Sequence, residues 1–220
     1  MKIAPTITMA LFIFSSGANA LDVNWRALDK DSRHLGGIHF GADYGSYYNL
    51  SYGQKLNNGN SPIIAGYELL LPFGDTIADD YKMKASLQRE FWSSGNLSFS
   101  LQGGLIFRRY ESVMARFYNV GADVVSSFGY LKPNWGAELL VGYDYSAATH
   151  IKNKLLKEYY PEIQDGWYDS SGGNIKFGAR FNRVFGSTTT FLNIGRAFGQ
   201  DFEDNPTLPF YFELSFQRQF

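Results

Sequence analysis

The sequence predicts an all-β fold: a transmembrane antiparallel up-and-down β-barrel of ten strands, with twelve strands as the alternative. Three observations carry this prediction. Apolar and polar residues alternate over many segments of about 9 to 13 residues, the length of a tilted strand that crosses a bilayer. The 220 residues include 19 Phe, 15 Tyr and 4 Trp, and membrane barrels place aromatic residues in girdles at both interfaces. After residue 20, no stretch approaches the roughly 18 consecutive apolar residues that indicate a membrane-spanning helix.

The first twenty residues have the pattern of an export signal. Lys2 supplies a positive start, residues 7–14 form a short apolar core, and a small-x-small cleavage site ends at Ala20. We therefore predict a signal peptide at residues 1–20, cleaved after Ala20, and one barrel domain at residues 21–220. The chain contains no cysteine, so we expect neither disulfides nor a lipoprotein anchor.

Both signs of charge are spread along the chain, and the net charge is -1. This balance argues against the basic surface that a nucleic-acid partner requires. The sequence contains no zinc-ligand spacing, no phosphate-binding glycine loop and no dinucleotide motif. We therefore expect no nucleic acid, no cofactor and no metal.

Eleven segments show strand alternation, whereas single-chain bacterial barrels have an even number of strands. The clearest pair is a hairpin of residues 81–91 and 97–107. Ten strands result if residues 21–33 stay outside the wall, and twelve require a further strand within residues 109–172. The alternation breaks at residues 147–172, which we predict to be the longest loop.

The last strand alternates up to the final residue. Its apolar face carries Leu208, Phe210, Phe212, Leu214, Phe216 and Phe220. This stretch resembles the closing strand of bacterial outer-membrane β-barrels, in which a terminal Phe after alternating apolar residues is recognised by the insertion machinery. The resemblance implies a location in the outer membrane of a Gram-negative bacterium, with the barrel insertion machinery, outer-membrane lipid and lipopolysaccharide as partners. We expect the barrel to be a monomer.

The polar face of the strands is rich in Gly, Ser, Asn and Gln, and it contains few of the Lys and Glu residues that cover water-exposed sheets. Such a face suits a narrow lumen, although alternation alone also fits a soluble barrel with an apolar interior. Ten charged residues are predicted to face the lumen: Glu68, Lys82, Lys84, Glu90, Arg108, Glu138, Asp144, Lys176, Arg180 and Glu213. These side chains either orient a charged or zwitterionic solute in an open pore, or pair across the lumen and plug it.

The predicted loop at residues 147–172 combines mixed charge with aromatic side chains. Its candidate binding residues are Tyr159, Tyr160, Asp165, Trp167 and Tyr168. Exposed aromatic rings beside charges can stack on sugars or dock a protein. In the alternative interpretation, Trp167 and Tyr168 anchor the loop at the membrane interface.

The chain contains only three histidines, which limits the options for an enzyme. His39 precedes Asp43 and Ser46, and these are the residue types of a Ser-His-acid site. Positions four apart on a strand are roughly 13 Å apart, which is too far for a hydrogen bond, so we assign no catalytic residues. His150 lies near Ser146 but has no obvious orienting acid.

The sequence therefore predicts a narrow, porin-like channel for small polar solutes as the first function. The alternative is a non-conducting barrel with a structural or surface-interaction role. A lipid-modifying outer-membrane enzyme is a third interpretation, and the residues support it least.

Overall fold

A computed structural model describes residues 21–42, 45–57, 61–73, 79–199 and 209–220, so the predicted signal peptide lies outside the described residues. Ten antiparallel strands form a closed barrel. They are β1 (His34–Ala42), β2 (Ser46–Lys55), β3 (Ile63–Pro72), β4 (Tyr81–Ser94), β5 (Leu97–Glu111), β6 (Ala115–Leu131), β7 (Trp135–Asn153), β8 (Gly166–Phe185), β9 (Thr188–Gly199) and β10 (Phe210–Gln219). Each strand pairs with its neighbours in sequence, and β1 pairs with β10. The ten-strand prediction is confirmed, and the twelve-strand alternative is wrong because long strands fill residues 109–172 without an additional hairpin.

The chain contains one short described helix, α1 (Leu155–Tyr159), between β7 and β8. No helix among the described residues is long and apolar enough to cross a membrane.

The two ends of the barrel differ in their connections. At one end, here called the termini end, the amide of Phe220 donates to the carbonyl of His34 at 3.0 Å. The termini end also carries the connections 56–62, 95–96, 132–134 and 186–187. The opposite end, here called the loop end, carries the connections 43–45, 73–80, 112–114, 154–165 and 200–209. The three longest connections, 73–80, 154–165 and 200–209, all lie at the loop end.

Alternate residues of the strands form an apolar outer face. Exposed apolar side chains on this face include Ile38, Phe40, Leu50, Tyr67, Met83, Leu105, Val124, Leu139, Phe177, Ile194 and Phe212. Leu105 is 70% exposed and Tyr67 is 59% exposed, although both lie in the middle of strands. A continuous apolar band of this kind is stable against lipid and unfavourable against water, which identifies it as the membrane-facing surface.

Aromatic side chains form a row around the outer face near the loop end. Neighbouring rings on consecutive strands from β4 to β8 are 6.1, 6.3, 6.4 and 5.2 Å apart between centroids, in the order Tyr81, Phe107, Tyr118, His150 and Trp167. Nearer the termini end, Trp92 stacks on Phe128. Tyr118 and Phe128 lie on the same strand, and at a tilt of about 40° their separation spans about 25 Å of bilayer. This height matches the apolar band of bacterial barrels.

The wall is taller on one side because β5, β6, β7 and β8 contain 15, 17, 19 and 20 residues. These strands exceed the predicted length and continue to pair beyond the aromatic row. The predicted loop at residues 147–172 is therefore too long, since the connection between β7 and β8 is 154–165. A register shift between Ser146 and Ala148 reverses the alternation of inward and outward side chains, which hid the strands in the sequence pattern.

Candidate functional site in the barrel lumen

The lumen collects the charged residues of the inner face and is therefore the candidate functional site. The structure places the predicted lumen charges on this face: Glu68, Lys82, Lys84, Glu90, Arg108, Glu138, Asp144, Lys176, Arg180 and Glu213. All of them are buried except Lys176, whose side chain is 12% exposed. They lie there because strand side chains alternate, so each polar position between lipid-facing residues points inward.

Six charged side chains form a cluster in the loop-end half of the lumen, here called the loop-end charge group: Lys82, Lys84, Arg108, Asp123, Asp144 and Lys176. Arg108 Nη2 donates to both carboxylate oxygens of Asp144 at 2.6 Å. Lys176 Nζ lies 3.8 Å from Asp144 Oδ2. Asp144 therefore joins cations from β5 and β8 on opposite sides of β7.

Lys84 forms an ion pair with Asp123, which links β4 to β6 across β5. Asp123 was absent from the predicted lumen charges, although its alternation with the lipid-facing Val124 indicates an inward position. Glu68 lies opposite Lys84 in the register of β3 and β4. Its Oε2 accepts a hydrogen bond from Asn49 Nδ2 at 2.9 Å. The charges of β3 to β6 thus form one connected polar surface.

A second set of charges surrounds Arg180 nearer the termini end. Arg180 Nη2 lies 2.5 Å from Asp22 Oδ1, and its Nη1 lies 3.5 Å from Glu138 Oε2. Asn193 Nδ2 donates to Asp22 Oδ2 at 2.8 Å and to Glu213 Oε1 at 3.1 Å. Asp22 alternates with Leu21 and Val23 in the sequence, but residues 21–33 were predicted to lie outside the wall, so Asp22 was not among the predicted lumen charges.

His39 joins β1 to both of its neighbours in the barrel. Its Nε2 lies 2.7 Å from Ser51 Oγ, and its Nδ1 lies 3.3 Å from Glu213 Oε1. The hydroxyl of Tyr47 donates to Glu213 Oε2 at 3.0 Å. The order Ser51, His39, Glu213 is that of a Ser-His-acid relay. Because His39 and Glu213 are fully buried, the relay acts in this conformation as a hydrogen-bond network that closes the barrel seam.

The residue combinations considered from the sequence are not brought together among the described residues. His39 contacts Ser51 on β2, and not Ser46, the first residue of that strand. Asp43 lies outside the described residues. Ser146 is buried in the lumen, whereas His150 lies against the rings of Tyr118 and Trp167 on the outer face.

One group among the described residues has the composition of a metal site. Ligand atoms of Asp22, His39 and Glu213 all lie within 4.8 Å of one another. The guanidinium of Arg180 contacts the carboxylate of Asp22, which also accepts a hydrogen bond from Ser215. These contacts already neutralise and occupy the ligand oxygens of Asp22, so the arrangement favours a hydrogen-bonded network over a bound cation.

Residues 21–28, here called the lumen segment, lie inside the barrel at the termini end. A buried apolar cluster contains three residues of the segment and three of the remaining chain: Leu21, Val23, Trp25, Leu35, Ile64 and Leu131. The prediction that residues 21–33 form no strand of the wall is correct. The segment nevertheless fills the termini end of the lumen, where burial of each large apolar side chain contributes about 1.5–3 kcal/mol.

Polar contacts fix the lumen segment to the wall. Asn24 Nδ2 donates to Asn182 Oδ1 at 2.8 Å. Arg26 Nη1 lies 2.9 Å from Glu90 Oε1, which is one of the predicted lumen charges. The segment therefore bonds to β4 and β8, on different sides of the lumen.

The first residue of the lumen segment fits against a glycine. Gln88 Nε2 donates to the carbonyl of Leu21 at 2.8 Å. A Cβ atom at Gly53 would overlap with Cδ2 of Leu21, so a larger residue at this position would force the leucine side chain to shift. Gly53, on the inner face of β2, thus leaves the space that the Leu21 side chain occupies.

The predicted external-loop residues are divided between the connection and β8. Tyr159 ends α1, and Tyr160 and Asp165 lie in the connection that follows. The prediction that Trp167 and Tyr168 belong to a loop is wrong, because β8 begins at residue 166. Trp167 instead completes the aromatic row on the outer face.

Asp165 fastens the connection 154–165 to β7. Its Oδ1 accepts the backbone amide of Asn153 at 2.8 Å, and its Oδ2 accepts a hydrogen bond from Lys157 Nζ at 2.7 Å. These two hydrogen bonds, with that from Lys157 as the larger cause, lower the pKa of Asp165 from its ordinary value of 3.8.

The closed barrel, its apolar outer face and its polar lumen define the chain as a β-barrel of the bacterial outer-membrane type. An outer membrane channel from Pseudomonas putida has the same fold, with a TM-score of 0.58 and 12% identity over 92% of this chain and 100% of that chain. A solved structure from work on the in-meso crystallization of membrane proteins has a TM-score of only 0.43 and 8% identity over 86% of this chain and 84% of that chain. No family model and no curated protein matches the sequence.

Proposed function

We propose that this chain is a narrow, porin-like channel for small polar solutes, closed at the termini end by the lumen segment. The observation that carries the proposal is the composition of the inner face. On β4 every inward residue is polar or charged: Lys82, Lys84, Ser86, Gln88 and Glu90. A barrel that needs only a filled interior is at least as stable with apolar packing as with buried ion pairs. A polar lining instead suits solutes that exchange hydrogen bonds as they move.

Closure by the lumen segment is non-covalent and therefore reversible. Asp22 and Arg26 hold the segment by ion pairs to the wall. Leu21, Val23 and Trp25 exclude water from the termini end. A solute can pass when these contacts break and the segment moves out of the lumen.

The proposal includes the outer membrane of a Gram-negative bacterium as the location, reached after removal of residues 1–20. The exposed ring of Phe220 lies next to the end of β10, where the insertion machinery can contact it. In this proposal phospholipid and lipopolysaccharide cover the apolar outer face, which continues around the barrel, and the protein is a monomer.

A swelling assay with proteoliposomes tests the channel. Vesicles that contain the folded barrel are placed in glycine or in a neutral pentose, and the variant without residues 21–28 is compared with the intact barrel. We expect the truncated barrel to admit both solutes at least severalfold faster. Heat-modifiable migration on a gel verifies that both proteins are folded, and a folded truncated barrel that admits neither solute contradicts the proposal.

A non-conducting barrel is the second candidate, and the ion pairs across the lumen favour it. Lys84 with Asp123 and Arg108 with Asp144 narrow the passage in the loop-end half. In that case the truncated barrel stays impermeable, and interaction at the surface becomes the function. The exposed Tyr159 in the connection 154–165 is then the first residue to test.

A further inference from the structure

Glu68 is a buried carboxylate on the inner face of β3 that has no ion-pair partner among the described residues. Its Oε2 accepts the hydrogen bond of Asn49, whereas its buried Oε1 has no hydrogen-bond partner in that part of the chain. The other inward carboxylates of the described strands and lumen segment each pair with a basic side chain: Asp22, Glu90, Asp123, Glu138, Asp144 and Glu213. Because an ionised carboxylate is unfavourable in a buried position without a cation, Glu68 requires a further partner.

The lysine opposite Glu68 is already paired with another carboxylate. Lys84 faces Glu68 in the register of β3 and β4, but its ammonium group contacts Asp123 across β5. A Cβ atom at Gly104 would lie 2.7 Å from both Lys84 Cε and Asp123 Oδ1, so this glycine of β5 leaves the space that the ion pair occupies. Lys84 therefore has its own counter-ion, and Glu68 Oε1 remains available to a different donor.

Leu21, at the inner end of the lumen segment, lies against β3 one inward position away from Glu68. A Cβ atom at Gly66 would lie 3.7 Å from Leu21 Cβ. Gly66 and Glu68 share the inner face of β3, and positions two apart on a strand are roughly 7 Å apart. Arg26 contacts the connection 95–96 at the termini end, so the segment runs inward from Arg26 to Leu21. Its first residue is thus its deepest part.

The backbone nitrogen of Leu21 is directed toward the level of Glu68. Gln88 Nε2 donates to the Leu21 carbonyl, and Gln88 is the register partner of Ile64. The Leu21 Cβ lies instead at Gly66, two residues nearer the loop end than Ile64. The nitrogen and the carbonyl carbon leave Cα in different directions, so the nitrogen points toward the loop end, where Glu68 follows Gly66. The Glu68 side chain is long enough to reach it.

We propose that the α-ammonium group of Leu21 pairs with Glu68 Oε1 and thereby holds the lumen segment in the barrel. This contact is here called the terminal ion pair. Its cation forms when water hydrolyses the peptide bond between Ala20 and Leu21: Ala20 gains a carboxylate, and the released amine takes up a proton. In the uncleaved chain the same nitrogen belongs to an uncharged amide. The inference rests on the proposed removal of residues 1–20 and the proposed closure, and it makes that removal the step that completes the closure.

The test removes the charge of the terminal amine and leaves every side chain unchanged. The protein is isolated from the membranes of cells that express the full chain, and mass spectrometry identifies its first residue. We expect Leu21, and any other first residue would overturn the proposal. The protein is then unfolded in urea and acetylated at mildly acidic pH, where the α-amine, with a pKa of about 7.7–8.0, reacts before lysines with a pKa of about 10.4. The acetylated and unmodified proteins are refolded in detergent.

Hydrogen exchange of the amides of residues 22–28 measures how firmly the segment is held. We expect exchange to be about tenfold faster after acetylation, because the terminal ion pair is lost. Glu68→Gln should accelerate exchange by a similar factor, and acetylation of this variant should add less than about twofold, since the partner is already absent. Glu162→Gln changes an exposed carboxylate in the connection 154–165 and should retain the full response to acetylation.

Two results would overturn the terminal ion pair. One is an equal response to acetylation in the native protein and in Glu68→Gln, which would show that the amine and the carboxylate act independently. The other is an acetylated native barrel that exchanges at the unmodified rate, a comparison that does not depend on the folding of any variant.

Swelling of proteoliposomes separates the terminal ion pair from the channel. Faster exchange together with faster swelling after acetylation supports both proposals. Faster exchange without swelling, in the acetylated barrel and in the barrel that lacks residues 21–28, overturns the channel and retains the ion pair. Unchanged exchange after acetylation, with solute entry through the truncated barrel, overturns the ion pair and retains the channel.

Discussion

Asp22 Oδ1 lies 2.5 Å from Arg180 Nη2, which attaches the lumen segment to the inner face of β8. This contact joins the part of the chain before the first strand to a strand in its second half. Arg180 Nη1 also lies 3.5 Å from Glu138 Oε2, so the guanidinium keeps a counter-ion when the segment leaves. The wall can therefore release the segment without leaving an unpaired buried cation.

The substitution Asp22→Asn should loosen the lumen segment. It removes a charged hydrogen-bond acceptor, which contributes about 1.5–3 kcal/mol in buried sites. Because the natural chain contains no cysteine, Val23→Cys provides a single reporter in the segment. We expect an impermeant maleimide to label this cysteine at least tenfold faster when Asp22→Asn is present. The exposed Asp29→Asn is the control, and equal labelling rates in all three proteins would count against the contact.

Gly53→Ala should displace the first residue of the lumen segment. The new Cβ would overlap with Cδ2 of Leu21, so the leucine side chain must shift and loses part of a burial that is worth about 1.5–3 kcal/mol in full. We expect a lower free energy of unfolding in urea and faster swelling of proteoliposomes. Gly103→Ala is the matched control on the outer face, where the nearest atom lies 4.0 Å from a Cβ, and it should change neither quantity. A fully stable, closed Gly53→Ala barrel would show that the fit of Leu21 against Gly53 does not hold the lumen segment in place.

His39→Ala should weaken the seam between β1, β2 and β10. The substitution leaves the buried Ser51 hydroxyl and Glu213 Oε1 without the imidazole, at a cost of about 2–3 kcal/mol. Urea unfolding of the barrel in vesicles measures this loss. His39→Gln, which retains a polar side chain, should recover part of it. If both variants unfold at the same urea concentration as the native protein, the hydrogen bonds of His39 do not stabilise the seam.

The contact of Asp165 with β7 should depend on pH. Its carboxylate is hydrogen-bonded when ionised, so its pKa is lower in the folded protein than in the unfolded chain. The contribution to stability is fully present above pH 3.8 and is lost as the pH falls through the lower pKa of the folded state. We expect the hydrogen-exchange protection of the Asn153 amide to fall over this acidic range. Asp165→Asn should show low protection at every pH, and a native amide that stays equally protected in acid contradicts the assignment.

The ten-stranded barrel and its inward charges were predictable because both follow from local alternation. Each inward charge, such as Lys84 or Glu138, lies between lipid-facing residues, and a period of two fixes its face without knowledge of any partner. The length of β7 and β8 was not predictable in this way. The register shift at Ser146 reverses the alternation within β7. Alternation of apolar and polar residues therefore predicts a loop where the strand in fact continues.

The contacts within the lumen were beyond the sequence because they depend on closure of the barrel. His39 and Glu213 are 174 positions apart and meet only because β1 pairs with β10. The lumen segment has a weak strand pattern, and its position follows from the space inside the wall. Asp22 could be identified as a lumen residue only after Arg180 and Asn193 were placed opposite it.

Single-channel current in a planar bilayer is the most direct test of the central claim, that the barrel is a channel closed by the lumen segment. The folded intact barrel and the variant without residues 21–28 are compared under the same voltage. We predict rare, brief openings for the intact barrel and sustained, discrete steps for the truncated one, with Asp22→Asn in between. A folded truncated barrel that remains silent would contradict the claim and leave a non-conducting barrel as the function.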